Sequence, residues 1–101
     1  MIKHIVCWNL LNRTEPVQEC SDALAIKAAL EGLAGRIPGL LSIEVGFDFS
    51  RIEPARDLVL YSEFESKEAL EAYQKHPLHV AAATGVVRPR TRDRVMVDYE
   101  C

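Results

Sequence analysis

Tyr73, His76 and His79 follow one another at intervals of three in the segment Tyr73-Gln74-Lys75-His76-Pro77-Leu78-His79. Histidine titrates near neutrality without special surroundings, so two imidazoles beside a phenol concentrate groups that exchange protons. The chemistry such a set serves is proton abstraction from an acidic C–H. A histidine of ordinary pKa, ~6.5, suits the base. A tyrosine hydroxyl suits the donor that holds the developing enolate or carbonyl oxygen, as in an aldol-type condensation. Pro77 divides the set. On an unbroken helix, a spacing of six puts Tyr73 and His79 on different faces, whereas a kink lets them converge. The structural alternative is that Tyr73 packs under its helix and His79 bonds a backbone carbonyl. His76 precedes a proline and is pushed away from helical backbone, so it reads as a helix cap.

Other candidates lie far off in sequence. His4 shares a strand face with Ile2, Val6 and Trp8 and is either a satisfied core residue or a cavity group. Trp8, Phe47 and Phe64 are candidates for an apolar ligand pocket, with ordinary core or dimer packing as the alternative. The run Arg88-Pro89-Arg90-Thr91-Arg92-Asp93-Arg94 is a solvated strand entry or a basic mouth that attracts an anionic ligand. The three histidines show no local metal-binding motif. Cys7, Cys20 and Cys101 fit neither a disulfide framework nor a zinc site and read as free thiols of a reducing cytoplasm. No metal and no cofactor is expected.

The elements that must position these groups read in the order β-α-β-β-α-β. Residues 2–11 form a strand that is apolar on both faces, and 12–18 form a loop. A helix spans roughly 18–36, with Ala23, Ile26, Leu30, Leu33 and Ile37 making one apolar stripe. A strand at 40–49 turns Leu41, Ile43, Val45 and Phe47 to one face, and a third strand occupies 57–64. Ser66 caps a helix that Pro77 interrupts, and a further helical stretch starts at Pro77 and ends at Gly85 and Pro89. The last strand covers 93–99. This is the split βαβ arrangement, an α+β ferredoxin-like fold whose four-stranded antiparallel sheet carries both helices on one face. The whole chain, 1–101, is one domain. The helix-free face still bears large apolar side chains. A second copy is the economical cover: two sheets face to face would form a dimeric α+β barrel with a cavity between them.

Net charge is −3 and pI about 5.6, which gives no general attraction to nucleic acid or an anionic membrane. No apolar run approaches the ~20 residues of a membrane span, and the N-terminus lacks the features of a signal peptide.

The residues Met1-Ile2-Lys3-His4-Ile5-Val6, Ile37-Pro38-Gly39, Val45-Gly46, Asp57-Leu58, Phe64-Glu65-Ser66, Tyr73 with His76-Pro77-Leu78-His79, and Val97-Asp98-Tyr99, in that order, resemble the stress-responsive A/B barrel domain, or Dabb, family. The resemblance covers nearly the whole chain and implies a dimeric α+β barrel. One branch of that family, similar to plant olivetolic acid cyclase, closes a polyketide ring by an aldol reaction without a cofactor. Its acid–base pair falls on His79 and Tyr73, and a strand-1 cavity histidine falls on His4. Two cavity positions differ. Leu58 stands where that branch has a histidine, and Leu30 where it has a tyrosine. The free thiols, the uncovered sheet face and the trio His4, Tyr73 and His79 together lead to the expectation of a cytoplasmic homodimer whose barrel binds a small apolar or phenolic molecule, with cofactor-free acid–base chemistry as the activity the resemblance implies. The alternatives are a non-enzymatic stress-response or interaction protein and, less favoured, a cofactor-free monooxygenase.

Overall fold

The computed structural model describes Met1 to Cys101. Four strands, β1 (Ile2–Leu10), β2 (Leu40–Phe47), β3 (Leu58–Phe64) and β4 (Thr91–Glu100), form one antiparallel sheet in the order β2-β3-β1-β4. Helices α1 (Ser21–Glu31), α2 (Lys67–Lys75) and α3 (Pro77–Ala82) pack on one face. The alternation of β1 explains the layering. Ile2, His4, Val6, Trp8 and Leu10 are all buried, whereas Lys3, Ile5, Cys7 and Asn9 are only half-covered. The buried set joins Ala23, Ile26 and Leu30 of α1 and Leu70 and Tyr73 of α2 in a single core.

The predicted stripe Ala23, Ile26, Leu30, Leu33, Ile37 is buried throughout. The helix carrying it is shorter than the stripe. Cys20 is extended (φ −67°, ψ 125°) and separates α1 from a tight turn at Val17–Glu19. After Glu31 the chain continues in tight turns, with Gly35 left-handed at φ 74°. On β2 a register shift between Leu40 and Ser42 buries Leu40 and leaves Leu41 half-exposed, contrary to the simple alternation. Gly85 does not end the third helix. The backbone runs on through a wide helical turn, Ala83–Val87, and a tight one, Arg88–Arg90, before β4 starts at Thr91.

The helix-free face presents two apolar rows in register across the sheet. Tyr61, Ile5 and Val97 make one, and Val59, Cys7 and Val95 the other. Val95 and Val97 are exposed, as is Phe49, which shares a groove with Cys7, Val59 and Val95.

Asp57 closes the end of the sheet opposite the chain termini. Its carboxylate is buried and accepts hydrogen bonds from the Leu10 amide (2.8 Å), Arg13 (3.0 Å) and Arg51 (3.1 Å). Its own amide donates to the Trp8 carbonyl at 2.9 Å. Burial alone would raise the Asp57 carboxyl, but the Leu10 amide and the two guanidiniums outweigh it and hold the pKa low. Arg51 also grips Asp48, whose carboxyl is drawn down to about 2, mainly by the Arg51 amide.

Gly39 sets the approach of α2 to the sheet. It is left-handed at φ 83°, and a Cβ there would lie 2.5 Å from the Ala69 Cβ. Gly39→Ala combines backbone strain with a collision in a packed layer. It is expected to cost about 2 kcal/mol or more in urea unfolding. Gly85→Ala meets open space and is the matched control.

Candidate functional site

The break at Pro77 brings Tyr73 and His79 together. α2 stops at Lys75, and His76 is extended (φ −66°, ψ 135°) and serves as N-cap of α3. The cap bond runs from the Leu78 amide to His76 Nδ1 at 3.1 Å, so His76 has the helix-capping role its place before proline suggests. With the helix broken there, the rings of Tyr73 and His79 lie 4.2 Å apart between centroids, at 39°. Tyr73 also stands 4.8 Å from Phe64 and 6.4 Å from His4. Three elements, β1, α2 and α3, therefore deliver His4, Tyr73 and His79 to one place.

A cavity of about 400 Å³ adjoins them. Val6, Trp8 and Leu60 of the sheet and Leu30 of α1 line its interior with His4 and His79. Val87, Arg88, Arg92 and Arg94 complete it on the side of β4. All of the interior sheet residues belong to the helix-covered face. The cavity thus lies between sheet and helices within one protomer, on the face opposite the one that the barrel argument from sequence packs against a second copy. The reason is parity: His4 shares its face with Val6 and Trp8, and that is the face the helices cover.

The other predicted site residues are divided. Phe64 is fully buried behind Tyr73, and Phe47 lies under the ammonium of Lys27, 5.6 Å from its ring centre. Neither lines this cavity. Tyr73 is fully buried one layer behind His79, and its hydroxyl has no hydrogen-bond partner. Leu30 forms part of the wall, whereas Leu58 is core. No group of three or more His, Cys, Asp or Glu side chains is arranged to hold a metal ion.

Proton positions follow from the partners. His79 Nδ1 lies 3.3 Å from the Gln74 carbonyl oxygen, which only accepts, so Nδ1 carries the proton and Nε2 keeps a free lone pair. Burial pushes the His79 pKa down against that hydrogen bond, and the charges of His4, Arg88 and Arg94 push the same way. The ring is neutral at pH 7, the form a general base needs. Burial raises the Tyr73 hydroxyl to about 12, so it remains a proton donor. His4 Nδ1 pairs with a carboxylate oxygen of Asp98 across the β1–β4 ladder, which leaves Nε2 as its other working atom. Sequence reasoning missed Asp98 as a site residue. Its only signal is the β4 register that places it opposite His4, and register is not written in local pattern.

The family model described as the stress responsive A/B barrel domain matches residues 2–101. The chain belongs to this family. A solved dimeric protein from Bacteroides fragilis, described as of unknown function and ferredoxin-like fold, is 31% identical. That match covers 99% of this chain and 95% of that one, with a TM-score of 0.79. A dimeric ferredoxin-like protein of Thermobifida fusca is 26% identical over 99% of this chain and 90% of that one, with a TM-score of 0.81. A hydroxynitrile lyase of Passiflora edulis superimposes with a TM-score of 0.79 over 97% of this chain and 90% of that one. At 17% identity it shares the fold alone. No curated protein matches the chain. The family accounts for the ferredoxin-like sheet and for solved relatives that are dimeric. No helix of this Dabb domain is long and apolar enough to cross a membrane.

Proposed function

We propose that this Dabb-family protein is a cytoplasmic homodimer in which each protomer binds a small, largely apolar or phenolic molecule and performs cofactor-free acid–base chemistry on it. The observation that carries the reading is the convergence of His4 and His79 on one cavity with an apolar wall, with Tyr73 packed directly behind His79. In this reading His79 Nε2 removes a proton from a carbon next to a carbonyl. The Tyr73 hydroxyl, free of any protein partner but packed behind His79, donates to the oxygen that gains charge once the bound ligand displaces the His79 ring enough to expose it. His4, oriented by Asp98, is a second polar contact for the ligand, Trp8 forms its apolar wall, and Phe64 holds Tyr73 in place. The fold supports enzymes elsewhere, since one neighbour is a hydroxynitrile lyase. The apolar helix-free face and the dimeric relatives support the homodimer. The three free thiols agree with the cytoplasm.

One observation favours a non-enzymatic stress-response or interaction protein instead. Leu30 presents an apolar wall where the cyclase-like branch has a tyrosine. A thermal-shift screen of phenolic and polyketide-like compounds separates the readings, because a ligand that binds only the native state raises its melting temperature. Tyr73→Phe is the decisive variant. Removing an unpartnered buried hydroxyl is expected to leave stability unchanged or raise it by about 1 kcal/mol. On any substrate found, turnover should fall about 10²-fold or more, with His79→Gln at least as severe. Binding with no effect of either variant on turnover would remove the acid–base roles. A broad panel without any shift would leave the non-enzymatic reading standing.

A further inference from the structure

Three arginines border the cavity where it meets β4: Arg88 from the turn before the strand, and Arg92 and Arg94 from its first residues. The chain as a whole is acidic, with a net charge of −3, so this gathering runs against its average. The local charges do not cancel. Arg92 pairs with Asp93 at 3.3 Å, and Asp93 also accepts from Asn9 at 3.0 Å. Asp98 is committed to His4. Arg90, in the same run, is tied to Asp22 of α1 at 3.2 Å and takes no part in the cavity. Arg88 and Arg94 have no carboxylate partner. Three arginines against one aspartate leave an excess of two positive charges in the lining.

The opposite wall is apolar, built of Val6, Trp8, Leu30 and Leu60. The cavity is therefore polarised, apolar on the sheet and α1 side and cationic beside β4. Its volume, about 400 Å³, lies within the small-ligand range. A guanidinium offers a planar fork of donors that matches a carboxylate, and an unpaired arginine beside an apolar surface discriminates an acid from its neutral analogue.

We infer that the ligand is an amphipathic carboxylate, its apolar body against Trp8 and Leu30 and its carboxylate held by Arg88 and Arg94. This rests on the proposed function in placing the ligand in this cavity, and it adds a required anionic end. The same arginines oppose protonation of His79, so a carboxylate ligand and a neutral base suit one another at the site.

Trp8 is the only tryptophan and lines the cavity, so its fluorescence reports occupancy directly. The test titrates 4-phenylbutyrate and the matched alcohol, 4-phenylbutanol, into the full chain at low salt. The acid is expected to bind at least tenfold more tightly, and to lose most of that advantage at high salt. In an Arg88→Gln/Arg94→Gln double variant the acid should fall to the affinity of the alcohol, with the alcohol unchanged. Both arginines are exposed, so the variant should fold normally, and an unaltered melting curve would verify this. Equal binding of acid and alcohol by the wild type, or an acid preference that survives the double variant, overturns the carboxylate inference and leaves the cavity reading intact. If neither compound perturbs Trp8 at millimolar concentration, the proposed ligand-binding function falls and this inference with it.

Discussion

Asp57→Ala is expected to destabilise the protein by about 3 kcal/mol and lower its melting temperature by roughly 12–24 °C, at the ~4–8 °C per kcal/mol of a domain this size. The carboxylate satisfies the buried Leu10 amide, and leaving such a group unpaired costs about 1–3 kcal/mol. It also faces Arg13 and Arg51. Those guanidiniums are partly exposed and recover some hydration, so their share is smaller, about 0.5–1 kcal/mol each. Asp57→Asn retains an acceptor for Leu10 and should lose only about half as much. A loss below about 1 kcal/mol in Asp57→Ala would mean that the hub does not anchor this end of the sheet. The same geometry sets a pH response. The Asp57, Asp48 and Glu31 carboxyls are all depressed in the folded state. Their contribution is complete above the ordinary carboxylate range and is lost as pH falls through and below it. His79, also depressed, acts earlier: the unfolded chain takes up its proton first, so stability begins to fall below about pH 6.5. His79→Gln should remove that early step and leave the acid transition in place.

Val97→Asp is expected to convert the protein from a dimer to a folded monomer. Light scattering at micromolar concentration should give the wild type a mass of twice 11.3 kDa and the variant 11.3 kDa. Val97 ends the row Tyr61–Ile5–Val97 on the helix-free face and is 52% exposed in the protomer, so a charge there costs the protomer little. Across a twofold interface every substitution appears twice. Two carboxylates desolvated without partners cost several kcal/mol, enough to abolish a moderate dimer. A wild type that sediments as a monomer would remove the dimer from the proposed function. It would leave the cavity untouched, because the cavity is built from one protomer.

The stripe of α1, the two-faced character of β1 and the proline break between α2 and α3 are legible in sequence because each is a local pattern. Periodicity declares which residues a helix buries, and proline declares where it stops. The boundaries at Cys20, Leu40–Ser42 and Gly85 were not legible. There the backbone answers to packing: an extended residue divides two turns, a bulge re-aims Leu40, and a glycine without neighbours stays inside a wide turn. The same division runs through the site. Tyr73, His76 and His79 announce themselves by type and spacing, and the cap role of His76 follows from Pro77.

By itself the sequence determined the order of elements, the family, and a histidine–tyrosine pair adjoining a helix break. Which face the pair occupies was decided only in three dimensions. The helices cover the His4 side of the sheet, so the cavity forms inside the protomer and the apolar side chains Val95 and Val97 of the other face stay exposed. Strand register decided that Asp98 meets His4. The path of the chain through Ala83–Arg90 decided that Arg88 and Arg94 border the cavity while Arg90 turns away to Asp22. Each of these depends on contacts between residues distant in the chain, and no local periodicity carries that information.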